Sequence, residues 1–405
     1  MNKMNIKKLI ISLVAALGLS ATSVIADGHK YTVDSSNYTS YTDMLSPGQL
    51  TMFSAYPDTY KIHVYETGAD CQIPPEIKAI SQSNGTMIND NEGLELPNMG
   101  QLPFPNPTEA QHFIWNMRLS SSNVSSVFRV ATSTNVQADG SIIIGQQETN
   151  IVFPRNPNTV SQYADKNIYA MFMQKNLGPP RSAGTTTLVH DFIDSYVQPR
   201  KAWQYNPATR RVRRAPDITY DTVLLAGGGI VVVDQYGGFN GAQDKYDWTY
   251  EGKKSMIVPA SNDALADNAI ETTHGQNHLN PEYVRYEERD VHVVHAQLKP
   301  GQRHLYASRT FYIMDDDFFN LSIMDAYDDN GELMRHQIGT MVTGIEGTEA
   351  NECNIQGEFT FDFATRTYTG NNQLGSGFST VPTVYNGEEK PASFFTPDGL
   401  RRYAR

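Results

Sequence analysis

Short apolar runs separated by turn residues recur along most of this chain, at the spacing of an antiparallel sheet. Arg309 to Ile313, Leu321 to Tyr327 and Glu332 to Gln337 form three consecutive runs. The gap between the last two, Asp328-Asp329-Asn330-Gly331, is a strong hairpin signal. Phe359, Phe361 and Phe363 alternate with Thr360 and Asp362, so one face of that strand is apolar. Upstream, Ile142 to Ile144, Ile168 to Met173, Thr186 to Ile193, Trp203 to Tyr205 and Ile230 to Val233 read as strands. Tyr246 to Tyr250, Ser255 to Val258 and Val291 to Leu298 continue the series. A chain with Tyr 22 and Phe 17 but Trp 3 suits half-buried sheet surfaces. So many strands at hairpin spacing imply a mainly β protein with a large antiparallel sheet, curved or closed. No internal repeat or compositional boundary divides the chain, so a single domain is expected.

Two helices stand out against the strands. Ser46-Pro47-Gly48-Gln49 carries a capping residue, a proline suited to the first helical position, and a glutamine that completes a capping box. Leu50 and Phe53 supply its apolar face, and Tyr56-Pro57-Asp58 stops it. A second helix is expected near Pro107, with Thr108-Glu109-Ala110-Gln111 as another box and Ala110, Phe113, Ile114 and Met117 on one face. Asp27 to Asn37 reads as a loose polar tail, Asn84 to Gly100 as exposed loop, and Ser120 to Ser126 as a polar break.

The first residues address the compartment. Lys3, Lys7 and Lys8 precede an apolar run from Leu9 to Leu19, and Val24 and Ala26 occupy the small-residue positions before a cut. Residues 1–26 thus read as a signal peptide cleaved after Ala26, leaving 27–405 as the exported, periplasmic chain. The apolar run is short for a membrane span, and no later segment has about 18 consecutive apolar residues. Cleavage removes three lysines and no acids, so the formal charge of −12 becomes −15. Such a chain repels nucleic-acid phosphates. Cys71 and Cys353 form a natural disulfide in an oxidising compartment; two separate buried thiols are the alternative. Two soft ligands are too few for a metal site.

Catalytic motifs are scarce. Gly227-Gly228-Gly229 lacks the spacing of a dinucleotide fingerprint and reads as a tight turn between strands. His292 and His295, three apart on a strand, point to opposite faces and cannot share an ion without a bulge. His274 and His278 could share a helical face, but no acid at a known spacing supports a metal there. Asp315-Asp316-Asp317 and Asp328-Asp329 flank the meander strands. Paired carboxylates can do acid–base work, but at such turns they serve far more often as solvated turn formers. Asp234 to Asp247 mixes Asp, Asn and Gly without the regular ligand spacing of a calcium loop. One cationic cluster exists: Arg210, Arg211, Arg213 and Arg214. On a strand Arg211 and Arg213 share one face, while Arg210, Val212 and Arg214 share the other. It reads either as an edge guarded by charge or as a docking surface for an anionic group or acidic partner.

Around these residues the chain resembles the Gram-negative family of unknown function DUF1329, often labelled outer-membrane lipoprotein-sorting-like. The stretches that carry the resemblance are Leu45 to Tyr65 (LSPGQLTMFSAYPDTYKIHVY), Leu102 to Leu119 (LPFPNPTEAQHFIWNMRL) and Ala202 to Pro216 (AWQYNPATRRVRRAP). Asp234 to Trp248 (DQYGGFNGAQDKYDW), Arg309 to Leu333, and Phe395 to Arg402 (FTPDGLRR) add to it. The resemblance implies a LolA/LolB-like fold: a strongly curved antiparallel sheet, an incomplete barrel, with helices packed on its concave side. It implies no enzymatic activity and no cofactor. It also implies work beside envelope transporters of the resistance-nodulation-division type and outer-membrane β-proteins.

The expected function is a periplasmic carrier for a lipid or other hydrophobic ligand. The alternative is a non-catalytic adaptor that binds those envelope proteins through the basic strand; a hydrolase using the aspartates is the weakest reading. Expected ligand or partner contacts are Trp203, Arg211, Arg213, Asp234, Phe239, Asp244 and Tyr246, with hairpin and core roles as the competing expectation.

Overall fold

Residues 28–343 and 353–405 are described in a computed structural model, apart from stretches between 74 and 101, residues 120–123, stretches between 155 and 166, residue 196, and residues 216–219 and 225–227. The expected signal peptide and its cleavage site lie outside the described residues.

One 16-stranded sheet organises the chain. Its strands are β1 (His29–Val33), β2 (Ile62–Tyr65), β3 (Ser126–Val136), β4 (Ile142–Val152), β5 (Ile168–Gly178), β6 (Thr186–Phe192), β7 (Lys201–Asn206) and β8 (Arg211–Arg214). They continue as β9 (Tyr246–Pro259), β10 (Arg285–Leu298), β11 (Ser308–Met314), β12 (Leu321–Tyr327), β13 (Leu333–Thr343), β14 (Cys353–Asp362), β15 (Thr367–Gln373) and β16 (Val384–Tyr385). The hydrogen-bonded order is β1-β2-β10-β11-β12-β13-β14-β15-β3-β4-β5-β6-β7-β8, with β9 also on β10 and β16 on β3. All pairings are antiparallel except the short parallel match of β2 with β10. The sheet is large and curved and does not close: among the described residues, β8 at one end pairs only with β7.

Alternation along the central strands explains why both faces are covered. On β11, Phe311 and Ile313 enter one apolar cluster while Tyr312 and Met314 enter another. The helices divide accordingly. Helix α1 (Pro47–Ala55) sends Met52 and Phe53 into the second cluster; helix α2 (Ala110–Leu119) sends Phe113, Ile114 and Met117 into the first. The capping box on α1 forms as its sequence predicts, Ser46 Oγ accepting from Gln49 N and Gln49 Oε1 from Ser46 N. Two short helices, α3 (Asp263–Asp267) and α4 (Ile270–Thr273), add Leu265 and Ile270 to the α1 side. The C-terminal helix α5 (Pro397–Tyr403) covers β6, β7 and β8 through Leu400.

Four local expectations need correction. Within the stretch expected as exposed loop, Met87–Ile88 pairs with Leu94–Glu95, and Leu94 is buried beside Trp115 and Leu119. The segment after the expected cut is not a loose tail: His29–Val33 is a strand because β2 supplies its ladder. Tyr246 to Tyr250 and Ser255 to Val258 are one strand, bulged at Gly252, whose φ of +110° a side chain would oppose. Helix α2 starts at Ala110, and the N–H groups of Thr108 and Glu109 donate to His112 Nδ1 at 3.3 and 3.4 Å. By contrast, Gly228 and Gly229, both at positive φ, turn the chain between Val223–Leu224 and Val231–Val232 as expected.

Candidate functional site

The hollow of the sheet is spanned by α2. One side of the helix packs with Phe311, Ile313, Leu321 and Met324 of β11 and β12. Its other side, Trp115 and Leu119, packs with Tyr169 of β5 and Ile193 after β6. In the sheet order these two groups are separated by β13, β14, β15, β3 and β4, so α2 bridges distant strands across the interior. Asn116 fastens it to Phe104, donating from Nδ2 to the carbonyl at 2.7 Å and accepting from the amide at 2.9 Å.

The seat of α2 is imperfect. Arg118 is 7% exposed, lies over the rings of Trp115 and Tyr169, and donates from Nη2 to Phe192 O at 2.9 Å. Its Nε and Nη1, and Trp115 Nε1, are buried without hydrogen-bond partners among the described residues. Tyr169 donates to Arg118 O at 2.9 Å, and burial pushes its phenol up to about 12. Each unpartnered buried donor costs about 1–3 kcal/mol. An amphipathic helix pattern suggests that Trp115 and Arg118 face solvent, so their burial was not visible in the sequence.

The segment from Val233 to Lys245 fills the rest of the hollow. Asp234, Phe239 and Tyr246, three of the expected contact residues, meet around Arg309, and all four are almost wholly buried. Arg309 donates from Nη1 and Nη2 to the two carboxylate oxygens of Asp234, both at 3.0 Å. His304 Nε2 lies 3.2 Å from Asp234 Oδ2. Burial alone would raise the Asp234 carboxyl; Arg309 and His304 outweigh it and hold the group at about 2. Phe239 and Tyr246 place their rings 4.9 and 4.7 Å from the Arg309 guanidinium carbon. Asp244 is half-buried, and its Oδ1 has no hydrogen-bond partner among the described residues.

Two cavities stand out among the described residues. One, of about 10 Å³, is lined by Met52, Tyr60, His278, His336 and Phe361, and has room for one water at most. A solvent-open cleft of about 560 Å³ lies between Asp70, Lys78, Pro107, His292, Asp316 and Phe319, beside the Cys71–Cys353 bridge. There His292 Nε2 contacts Asp315 Oδ1 at 2.8 Å, and Lys253 donates to Asp315 Oδ2 at 2.7 Å. Asp316 accepts from the amides of Phe318 and Phe319; burial raises its carboxyl to about 7. Asp317 binds Lys78 at 2.6 Å. Asp315 and Asp317 thus hold ion pairs, while Asp316 caps the turn with Oδ1 and buries Oδ2 without a partner among the described residues. The only hydroxyl bonded to His292 among the described residues is the Tyr250 phenol, at 2.9 Å from Nδ1.

The other histidines raised in the sequence sit apart. His295 Nδ1 meets Thr310 Oγ1 at 3.2 Å, His274 Nε2 meets Thr134 Oγ1 at 3.1 Å, and His278 Nε2 meets Thr59 Oγ1 at 2.9 Å.

The remaining expected residues gather at the far end of the sheet. Trp203 on β7 and Val212 on β8 face α5. Arg211 and Arg213 lie on the opposite, solvent face, paired in register with Asn206 and Gln204. Arg210, Arg211, Arg213 and Arg214 are exposed and make no ion pair among the described residues.

The chain is similar to several known proteins. The family model described as "Protein of unknown function (DUF1329)" matches residues 32–401. The uncharacterized protein PA3922 of Pseudomonas aeruginosa is 36% identical over 327 residues, covering 80% of this chain and 71% of that protein. Among solved structures, a DUF1329 family protein from Desulfovibrio piger aligns at 13% identity and a TM-score of 0.47, covering 71% of this chain and 97% of that one. The LolA superfamily protein NE2245 of Nitrosomonas europaea aligns at 12% identity and a TM-score of 0.41, covering 72% and 100%.

Proposed function

The chain belongs to the DUF1329 family, and we propose that it is a periplasmic, non-catalytic carrier for a lipid or another hydrophobic molecule. In this reading the state described above is cargo-free, and α2 holds the place that cargo takes. The observation that carries the proposal is the seat of α2: a helix laid across the hollow of an open sheet, with two buried side chains left short of partners.

The energetics suit exchange. Displacing α2 uncovers Phe311, Ile313 and Met324 on one side and Tyr169 and Ile193 on the other. An acyl chain or sterol-like body re-covers such walls at about 0.8 kcal/mol per CH₂ relative to water. Transfer from a membrane is apolar to apolar, so most of that gain cancels and cargo can leave again. The unpaired donors of Arg118 and Trp115 lower the cost of opening by about 1–3 kcal/mol each. The disulfide supports an oxidising compartment. Handover to envelope transporters, of the resistance-nodulation-division type, and to outer-membrane β-proteins completes the proposed cycle.

Native mass spectrometry of protein purified gently from its own envelope, followed by lipid extraction, tests this. A bound hydrophobe and uptake of a fluorescent lipid are expected. A protein that emerges bare and takes up no fluorescent lipid overturns the carrier proposal.

A further inference from the structure

We propose that the free edge of β8 is a docking site for an extended acidic segment of a partner protein, which joins the sheet as a further strand. The evidence lies in the ladder and the charge. The register pairs Arg211 with Asn206 and Arg213 with Gln204, and Ala215 N donates to Ala202 O at 2.9 Å. Antiparallel pairing alternates, so the N–H and C=O groups of Val212 and Arg214 point away from β7. No backbone or side-chain group among the described residues takes them. An unpaired edge of this kind is a template for another strand.

Charge selects the occupant. Four arginines stand within residues 210–214 of a chain whose formal charge is −12. Arg211 and Arg213 project on the solvent face beside the exposed Gln204 and Asn206; Arg214 projects on the α5 face beside Trp203. A basic or apolar strand meets repulsion or unpaired charge here, whereas alternating carboxylates meet guanidinium groups on either face. An anionic lipid surface answers the charge but not the ladder: mobile headgroup phosphates and hydroxyls do not hold the fixed spacing of the N–H and C=O groups along a strand edge. The edge is therefore built for a peptide.

The test uses three probes on the full exported chain: a fluorescent octapeptide of alternating glutamate and valine, the same peptide N-methylated at alternate residues, and vesicles of phosphatidylglycerol and phosphatidylcholine. The unmethylated peptide is expected to bind, weakening with salt, and the methylated one to lose at least about tenfold in affinity because it cannot complete the ladder. The double variant Arg211→Glu, Arg213→Glu should lose binding by a similar factor. Val212→Pro should do the same with every arginine in place, since the N–H it removes points outward. Failure of the unmethylated peptide to bind at about 1 mM and low salt overturns the proposal. So does equal binding of both peptides, or vesicle binding without peptide binding; either would make this edge a charged surface and nothing more.

Discussion

Arg309 holds Asp234 from 75 residues away, two parallel 3.0 Å hydrogen bonds joining guanidinium to carboxylate where solvent does not reach. The pair pins the segment inside the hollow to β11, and each charge depends on the other. Asp234→Asn leaves an uncompensated buried cation. It should cost about 3–5 kcal/mol, whereas replacing both partners by leucine and methionine should recover much of that. Urea unfolding of the single and double variants measures the difference. Because the folded carboxyl lies near 2, below its ordinary 3.8, its contribution is present above pH 4 and lost as the pH falls toward 2.

His274 governs a different pH window. Burial lowers its imidazole from 6.5 to about 4, against a hydrogen bond with Gln373 that favours the cation. The unfolded chain therefore binds this proton first, and stability falls as the pH drops from about 6.5 to about 4, by roughly 3 kcal/mol for this group. His63, His278 and His292 are lowered too and steepen the same slope. His274→Gln should flatten the dependence of the denaturation midpoint on pH between 4 and 6.5; an unchanged slope contradicts the assignment.

Arg118→Met removes two orphaned donors from the seat of α2 and keeps the stem that packs on Trp115 and Tyr169. The variant should unfold at least as late as the parent, with a gain of about 1 kcal/mol, because the two unpartnered buried nitrogens removed outweigh the single bond lost from Nη2 to Phe192 O. Under the carrier proposal it should also take up fluorescent lipid more slowly, since the closed state is deeper. Melting and uptake curves on the same preparations check both.

The bridge between Cys71 and Cys353 spans 282 residues, with Cα atoms 5.5 Å apart. Cys71→Ser with Cys353→Ser should cost about 5 kcal/mol by the loop-entropy account. Calorimetry with and without reductant measures it.

What was legible in the sequence was local. The Asp328 to Gly331 turn needs only its own residues: Asp328 Oδ1 accepts from Asn330 N and Glu332 N, and Gly331 takes φ +79°. The Ser46–Gln49 box is equally self-contained, and Phe359 and Phe361 enter one cluster as their alternation predicts. Features that depend on distant partners stayed hidden. His29–Val33 looks like a tail until β2 is beside it, and no pattern links Asp234 to Arg309. The expected contact residues divided on the same principle. Arg211 and Arg213 lie where strand alternation puts them, whereas the surroundings of Asp234, Phe239 and Tyr246 are set by strands far along the chain. Trp115 and Arg118 were missed because the helix that bears them is enclosed by two separate parts of the sheet.

The strand order also sets the pace of folding. β2 must wait for Arg285 to Glu287, and β3 needs the strand beginning at Thr367 on one flank. Neither half of the polypeptide can complete its ladder alone, so contact order is high and folding slow. A chain so ordered remains uncommitted until the strands that follow Arg285 are in place, with its apolar strands exposed to capture in the meantime.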